Sequence, residues 1–201
     1  MAVFVIWNGP DLVLCLGRGF TETTEEGLPF LDDPKRRYRA RRWHGRCRLV
    51  IEATICHLVR GRRLLLKKAN RGMSVGKWNA PGGKSEPGEE PEQCARREVL
   101  EETGLRVSQL FYHGALTFVM DGGKTLHTRA HLFSTRKVGG RARSSDEGEV
   151  RWFPLDALPY AEMWEDDQFW IPLMLRGIKF DATFTYDAAN RHVTGFAIAS
   201  R

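Results

Sequence analysis

Gly83–Leu105, reading GKSEPGEEPEQCARREVLEETGL, constrains the chain more than any other stretch. Pro91 suits the first turn of a helix, where its missing N–H leaves nothing unpaired. Acidic residues cluster at that start, and Gly104 can close the far end in a left-handed conformation. Gly82, Gly83, Pro87 and Gly88 form a loop ahead of it, so the unit is a glycine loop followed by a helix. Glu98, Glu101 and Glu102 fall at i, i+3 and i+4, which places three carboxylates on one helical face. Like charges so spaced destabilise a bare helix by roughly 0.2–0.5 kcal/mol per pair. A divalent cation reverses that sign, because hard oxygen donors are what Mg²⁺ selects. The plainer alternative for any such run is a solvated acidic face.

The rest of the composition sets broad limits. At 201 residues the chain is one domain plus an extension. Apolar content of 42% and charged content of 28% are globular values and exclude wholesale disorder. A net charge of +6 favours an anionic partner without separating nucleotide, nucleic acid and membrane surface. Cys15, Cys47, Cys56 and Cys94 lack disulfide or metal-finger spacing and read as reduced thiols. That places the chain in the cytoplasm, with the mitochondrial matrix or nucleus as further compartments. No apolar run approaches the roughly 20 residues that span a bilayer, and Met1–Leu16 lacks the form of a secretory signal. The expectation is no membrane partner.

Residues 1–46 read as an N-terminal extension, and 47–201 as the folded domain. Within the extension, Ala2–Trp7 and Leu12–Leu16 read either as short strands around Asn8-Gly9-Pro10 or as material outside the core. Lys35–Arg48 carries eight basic residues interleaved with Tyr38, Trp43 and His44. It reads first as a solvated linker, and second as a phosphate or nucleic-acid contact or a nuclear localisation patch. Leu49–Val59 and the segment from Leu64 form a predicted hairpin across Gly61-Arg62-Arg63. Asn70–Gly76 is a loop. After the helix come predicted strands at Leu110–Met120 and Thr125–Thr135, joined by a tight turn at Asp121-Gly122-Gly123. A loop covers Val138–Ser145, and a further strand Glu149–Pro154. A helix at Asp166–Arg176 and strands at Phe180–Tyr186 and His192–Ile198 complete the order. This succession fits a mixed sheet with helices on both faces, an α/β class.

The spacing around the acidic helix carries a resemblance. Gly83, five residues, Glu89, seven residues and then Arg97-Glu98-Val99-Leu100-Glu101-Glu102-Thr103-Gly104-Leu105 match the Nudix box at each constrained position. The chain resembles the Nudix hydrolases, which implies an α/β/α sandwich and cleavage of a nucleoside diphosphate linked to another group. Downstream, Met163-Trp164-Glu165-Asp166-Asp167-Gln168-Phe169-Trp170-Ile171-Pro172 resembles the base-recognition segment of the animal MutT-homologue oxidised-purine nucleoside triphosphatases. Gly76-Lys77-Trp78-Asn79, Trp152-Phe153 and the closing hairpin extend the likeness from about Cys47 to Ile198.

The implied activity is Mg²⁺-dependent hydrolysis of 8-oxo-dGTP and 2-hydroxy-dATP to monophosphate and pyrophosphate, with Mn²⁺ as a substitute ion. The resemblance assigns catalysis to Glu98, Glu101, Glu102 and Arg97, and metal binding to Glu98, Glu101, Glu102, Glu147 and the Gly82 carbonyl. Arg97 is also expected to pair with Glu89 and brace loop against helix. Trp164 offers a stacking face for a purine, and Asp166 and Asp167 can address its Watson–Crick edge. Two adjacent carboxylates in a dry pocket repel, so one is expected to stay protonated and the pair to titrate together. Helix capping is the structural alternative for both. Thr54, Asn79, Pro81, Gly82, Gly83, Lys84, Phe118 and Glu165 complete the implied substrate site, with Met120 beside Phe118. The chain departs from the subfamily at Ala69, where a lysine is usual, and Lys67 and Lys68 stand just upstream as substitutes.

Three other readings are open. One is a Nudix enzyme for dinucleotides or RNA caps. Another is a degenerate box that binds without turnover, and the third a nucleic-acid-binding protein that works through its extension. The primary reading is a monomer acting on nucleoside triphosphates.

Overall fold

The computed structural model describes residues 3–8, 11–16, 49–120, 126–144, 146 and 148–201, with backbone alone at 3–8, 11–16, 49 and 126. Its centre is β3 (Leu49–Arg60), which turns at Gly61 into β4 (Arg63–Ala69). The short β5 (Trp78–Asn79) leads to helix α1 (Pro91–Thr103). Next come β6 (Arg106–Val107), β7 (Phe111–Val119), β8 (Leu126–Thr135), β9 (Val138–Gly139) and β10 (Gly148–Pro154). Helix α2 (Asp167–Leu175), β11 (Phe180–Tyr186) and β12 (Val193–Ser200) end the chain. At the N-terminus, β1 (Val3–Asn8) and β2 (Asp11–Leu16) form a ribbon, and β1 pairs with β12. Of the two readings of Ala2–Trp7 and Leu12–Leu16, the structure has the short strands. The basic run from Lys35 and the Asp121-Gly122-Gly123 turn lie outside the described residues.

One mixed sheet runs in the order β10-β4-β3-β8-β7-β11-β12-β1-β2, with β5 against β4. The β3·β8 and β7·β11 pairings are parallel, and the other pairings along this order are antiparallel. Val138–Gly139, expected as loop, pairs with β6. A ladder two residues long is too short to show a period in sequence.

β3 divides the interior. Its residues alternate between faces because strand side chains have a period of two. Cys56 and Leu58 join Leu65, Ala95, Val99 and Leu105 beneath α1. Ile55 and Val59 join Leu116, Leu132, Trp170, Ile171, Phe180 and Phe184 beneath α2. Each of these large apolar side chains contributes about 1.5–3 kcal/mol on leaving water. The two helices thus lie on opposite faces, the α/β/α arrangement expected from the order of elements. Cys56 and Cys94 are buried thiols outside any disulfide.

β3 and β4 pair only at their turn, through Val59↔Leu64 and Arg60↔Arg63, and then splay apart. The segment from Trp78 to Ser85 fills the gap. Its first part pairs with β4, Lys67↔Asn79 and Lys68↔Trp78. Its second part pairs with β3: the Thr54 N–H donates to Gly83 O (2.8 Å) and the Cys56 N–H to Pro81 O (2.9 Å). This wedge brings the glycine loop to α1.

Candidate active site

Helix α1 begins with a capping box. Glu90 caps the N3 backbone, while the Glu90 N–H donates to Gln93 Oε1 at 3.1 Å. Gly104 ends the helix at φ 70°, a left-handed conformation that an L side chain resists. These local stops fix the phase of the helix and hence the direction of its acids. Arg97 donates to both oxygens of Glu89 (2.8 and 2.9 Å), so the expected loop-to-helix brace is present. The same guanidinium reaches Glu98 Oε1 (2.8 Å), Glu101 Oε2 (3.2 Å) and the Lys84 carbonyl (3.2 Å). Its contact, with a backbone bond from Glu86, holds the Glu89 carboxyl down at about 2.

Glu102 has a different environment. It is 3% exposed, is ion-paired to the buried Lys67 ammonium and accepts the Gly82 N–H at 3.0 Å. Burial pushes its carboxyl up to about 7, while Lys67 and the Gly82 bond oppose that rise. Neither glycine of the loop has room for a side chain. A Cβ on Gly82 would lie 2.1 Å from the Thr54 carbonyl, and one on Gly83 2.4 Å from a Glu98 carboxylate oxygen. The Pro81 and Gly83 carbonyls both face β3. The intervening Gly82 carbonyl therefore faces the opposite way, on the Glu102 side.

Among the described residues no three His, Cys, Asp or Glu side chains are gathered as an ion-holding group. The reason is visible: Lys67 takes Glu102, and Arg97 takes Glu98 and Glu101. The donor set nevertheless fits a hard cation. Two carboxylates and a backbone carbonyl converge on glycines with no side chain to obstruct an ion. Glu147 lies outside the described residues.

The second constellation sits on the other face. Asp166 and Asp167, 2% and 7% exposed, open α2. Asp166 accepts the Trp170 indole N–H at 2.7 Å and the Tyr186 hydroxyl. Asp167 accepts the Trp164 backbone N–H at 3.1 Å. Burial raises both carboxyls, but the two side-chain donors counter the rise at Asp166, whereas the neighbouring Asp166 charge adds to it at Asp167. Both shifts favour the neutral acid, more strongly at Asp167, and the two carboxyls titrate as a unit. Trp164 is half-buried beside them. Its Nε1–H donates to Ser74 Oγ at 3.0 Å, and the Lys77 ammonium stands 5.0 Å from its ring centroid. Phe118, half-buried, stacks 6.2 Å from Phe184 on this face, with Met120 buried nearby.

Several expected residues point elsewhere. Thr54 faces α1, with its hydroxyl 3.4 Å from Cys94 Sγ, because even-numbered β3 residues turn away from Trp164. Glu165 accepts the Val193 N–H at 2.7 Å and lies 3.5 Å from His192, so it anchors the closing hairpin. Asp166 is engaged by Trp170 and Tyr186 and leaves Asp167 as the acid with fewer fixed partners. Asn79 shares Lys67's side of the sheet, and its amide donates to the Lys77 carbonyl at 3.0 Å. Pro81 is buried and Lys84 exposed. Of the two lysines offered as substitutes at Ala69, Lys67 turns to α1 and Lys68 donates to Glu162 at 2.9 Å.

Sequence reasoning offered Lys67 only as a substitute at the pocket entrance, not as the partner of Glu102, and did not single out Ser74, Lys77, Tyr186 or Trp170 as site residues. Trp170 was accessible in principle, being four residues beyond Asp166 on one helix. The others act across long sequence separations and leave no local pattern.

A family model described as NUDIX domain matches residues 50–174. Oxidized purine nucleoside triphosphate hydrolase of Mus musculus is 39% identical over 133 residues, 66% of this chain and 85% of that protein. The Danio rerio protein of the same name is 41% identical over 133 residues, with the same coverage. Among solved structures, a MutT protein from Bacillus halodurans superposes with a TM-score of 0.65 at 26% identity, over 74% of this chain and 97% of that one. Proteins with this domain hydrolyse phosphoric anhydrides and generally use divalent metal ions. The matched segment runs from β3 to α2 and includes the glycine wedge, the acids of α1 and the aspartate pair, and the chain belongs to the Nudix hydrolase family.

Proposed function

We propose that the chain is an oxidised-purine nucleoside triphosphatase that converts 8-oxo-dGTP and 2-hydroxy-dATP to the monophosphate and pyrophosphate with Mg²⁺. The observation that carries this reading is the buried pair beside Trp164: both oxygens of Asp166 accept from side-chain donors, while Asp167 accepts a backbone N–H and is the acid with capacity left for a base. A carboxyl donates to the edge of a purine when protonated and accepts from it when ionised. Relocating the proton within the pair would let Asp167 meet either oxidised guanine or 2-hydroxyadenine. The identity to the mouse and zebrafish hydrolases supports the same substrate class.

Glu98, Glu102 and the Gly82 carbonyl would hold the cation, with Glu101 beside them and Glu147 as a late addition. When bound, the ion neutralises phosphate oxygens and supplies Lewis acidity at the cleaved linkage. The chain's own groups do the rest. Trp164 stacks the base and Asp167 donates to its edge, while Asp166, held by Trp170 and Tyr186, stands behind Asp167. Arg97 fixes the directions of Glu98 and Glu101 through bonds of 2.8 and 3.2 Å. Glu101 takes the proton of a water whose oxygen bonds to the β phosphorus. The bond from that phosphorus to the α–β bridging oxygen breaks, and this oxygen leaves with the monophosphate. Lys84, exposed at the loop, meets the departing phosphates.

The test is steady-state kinetics with 8-oxo-dGTP, 2-hydroxy-dATP, dGTP and dATP at neutral pH in Mg²⁺. The expected result is a higher kcat/KM for each oxidised nucleotide than for its unmodified parent. Equal values, or faster cleavage of a dinucleotide or capped RNA, would overturn the reading.

A further inference from the structure

Lys77 stands where sequence gave no reason to look. Its backbone is fixed at the foot of the 70–76 loop: its carbonyl accepts the Ala69 N–H at 3.1 Å and the Asn79 amide at 3.0 Å. From there the side chain crosses to the recognition face. Its ammonium donates to the Met163 carbonyl at 3.0 Å and stands 5.0 Å over the Trp164 ring. Its charge also reaches Asp167. The same loop holds the indole in place through Ser74 Oγ, 3.0 Å from Trp164 Nε1. A lysine over an indole face is a favourable contact, and stacking a base on that face displaces it.

We propose that Lys77 is a specificity-determining residue that selects purines bearing an extra ring carbonyl, by guarding the face of Trp164 and yielding it to a base that can accept a hydrogen bond from the ammonium. The inference rests on the function proposed above. An ammonium has three donors and no acceptor, so a ring carbonyl satisfies it, whereas an exocyclic amine does not. Adenine and 2-hydroxyadenine in its keto form make the clean comparison, because they differ by that oxygen. Adenine offers the displaced cation ring nitrogens alone, with no carbonyl oxygen to receive it. The keto base returns a charge-assisted bond for the contact it removes. A site built around a polar partner rejects the analogue that lacks it.

The test measures kcat and KM for 2-hydroxy-dATP and dATP in the wild type, Lys77→Met and Lys77→Arg, with inorganic tripolyphosphate as a base-free competitive inhibitor. In Lys77→Met the preference for 2-hydroxy-dATP over dATP falls about tenfold through KM, with kcat little changed. Lys77→Arg restores most of the preference, and tripolyphosphate inhibits all three proteins equally. An unchanged preference in Lys77→Met overturns the inference while the proposed function stands. A loss in kcat alone, or an equal weakening of tripolyphosphate, overturns it by showing a general structural role. A wild type without preference for the oxidised nucleotide removes the proposed function, and the inference with it.

Discussion

His57 gives a prediction whose size follows from its surroundings. It lies on β3, 1% exposed, with the edge of its ring on Trp170 at a centroid distance of 5.4 Å. Neither ring nitrogen has a hydrogen-bond partner among the described residues. Burial, with a smaller contribution from His113, lowers its pKa from the usual 6.5 to about 3. A depressed histidine is neutral in the fold and gains a proton first in the unfolded chain. Its contribution is therefore complete above pH 6.5 and is lost as pH falls from there toward 3. At pH 4.5 the unfolded imidazole is two pH units below its pKa while the folded one is still neutral, so about 2.5 kcal/mol is lost relative to pH 7. His57→Leu conserves volume and removes this loss. Urea unfolding of both proteins at pH 7 and pH 4.5, followed by far-ultraviolet circular dichroism, isolates the effect, since all other titrations are shared. The stability difference should shift in favour of the variant by about 2.5 kcal/mol between the two pH values. An unchanged difference would refute the argument, because it would mean that the buried ring takes up protons as readily as an exposed one.

Other perturbations separate the two faces. Lys67→Met leaves Glu102 buried without its counter-charge and should cost about 3–5 kcal/mol in chemical denaturation, with Lys67→Met/Glu102→Gln recovering part of it. Gly83→Ala drives a Cβ to 2.4 Å from the Glu98 carboxylate, and turnover should fall about 100-fold while thermal unfolding moves little. Glu102→Gln should abolish turnover yet leave nucleotide binding in calorimetry largely intact, whereas Asp167→Asn should weaken discrimination of oxidised from unmodified purines more than it slows cleavage. Because Asp167 loses its proton as pH rises, the ratio of 8-oxo-dGTP to 2-hydroxy-dATP turnover should change on the alkaline side. A flat ratio would count against the shared proton.

The helix of the box was legible because everything that defines it is local. Pro91, Gly104 and the i, i+3, i+4 acids act within a few turns, and the observed helix has the boundaries that they set. The hairpin at Gly61 and the closing pair of strands are local in the same sense. The face of β3 was not legible. Leu49-Val50-Ile51-Glu52-Ala53-Thr54-Ile55-Cys56-His57-Leu58-Val59 is apolar on both sides because both sides are covered by helices. Without polar alternation the direction of Thr54 cannot be read, and it faces Cys94 rather than Trp164. Glu165 failed for another reason: its partners, Val193 and His192, belong to a hairpin more than 25 residues downstream. Lys67 and Lys77 look alike in sequence, yet one closes an ion pair on α1 and the other crosses to Trp164.

Those two lysines expose the logic of the site. The proposed function puts cleavage chemistry on the α1 face and recognition on the α2 face, so that a single nucleotide would have to reach both. An intact β3·β4 ladder would seal one from the other. Its register ends after two residue pairs, and the wedge from Trp78 to Ser85 enters the opening. Within that wedge, Asn79 fixes the Lys77 carbonyl while Gly82 donates to Glu102, three residues further on. The loop that sets Lys77 over the stacking face is thus continuous with the loop that sets the glycines against the acids. A change that lengthens the wedge by one residue would move Gly82 out of reach of Glu102 and reverse every side chain after the insertion. Insertion of an alanine after Asn79 should therefore abolish cleavage and leave Trp164, Asp166 and Asp167 in place, which purine binding without turnover would report.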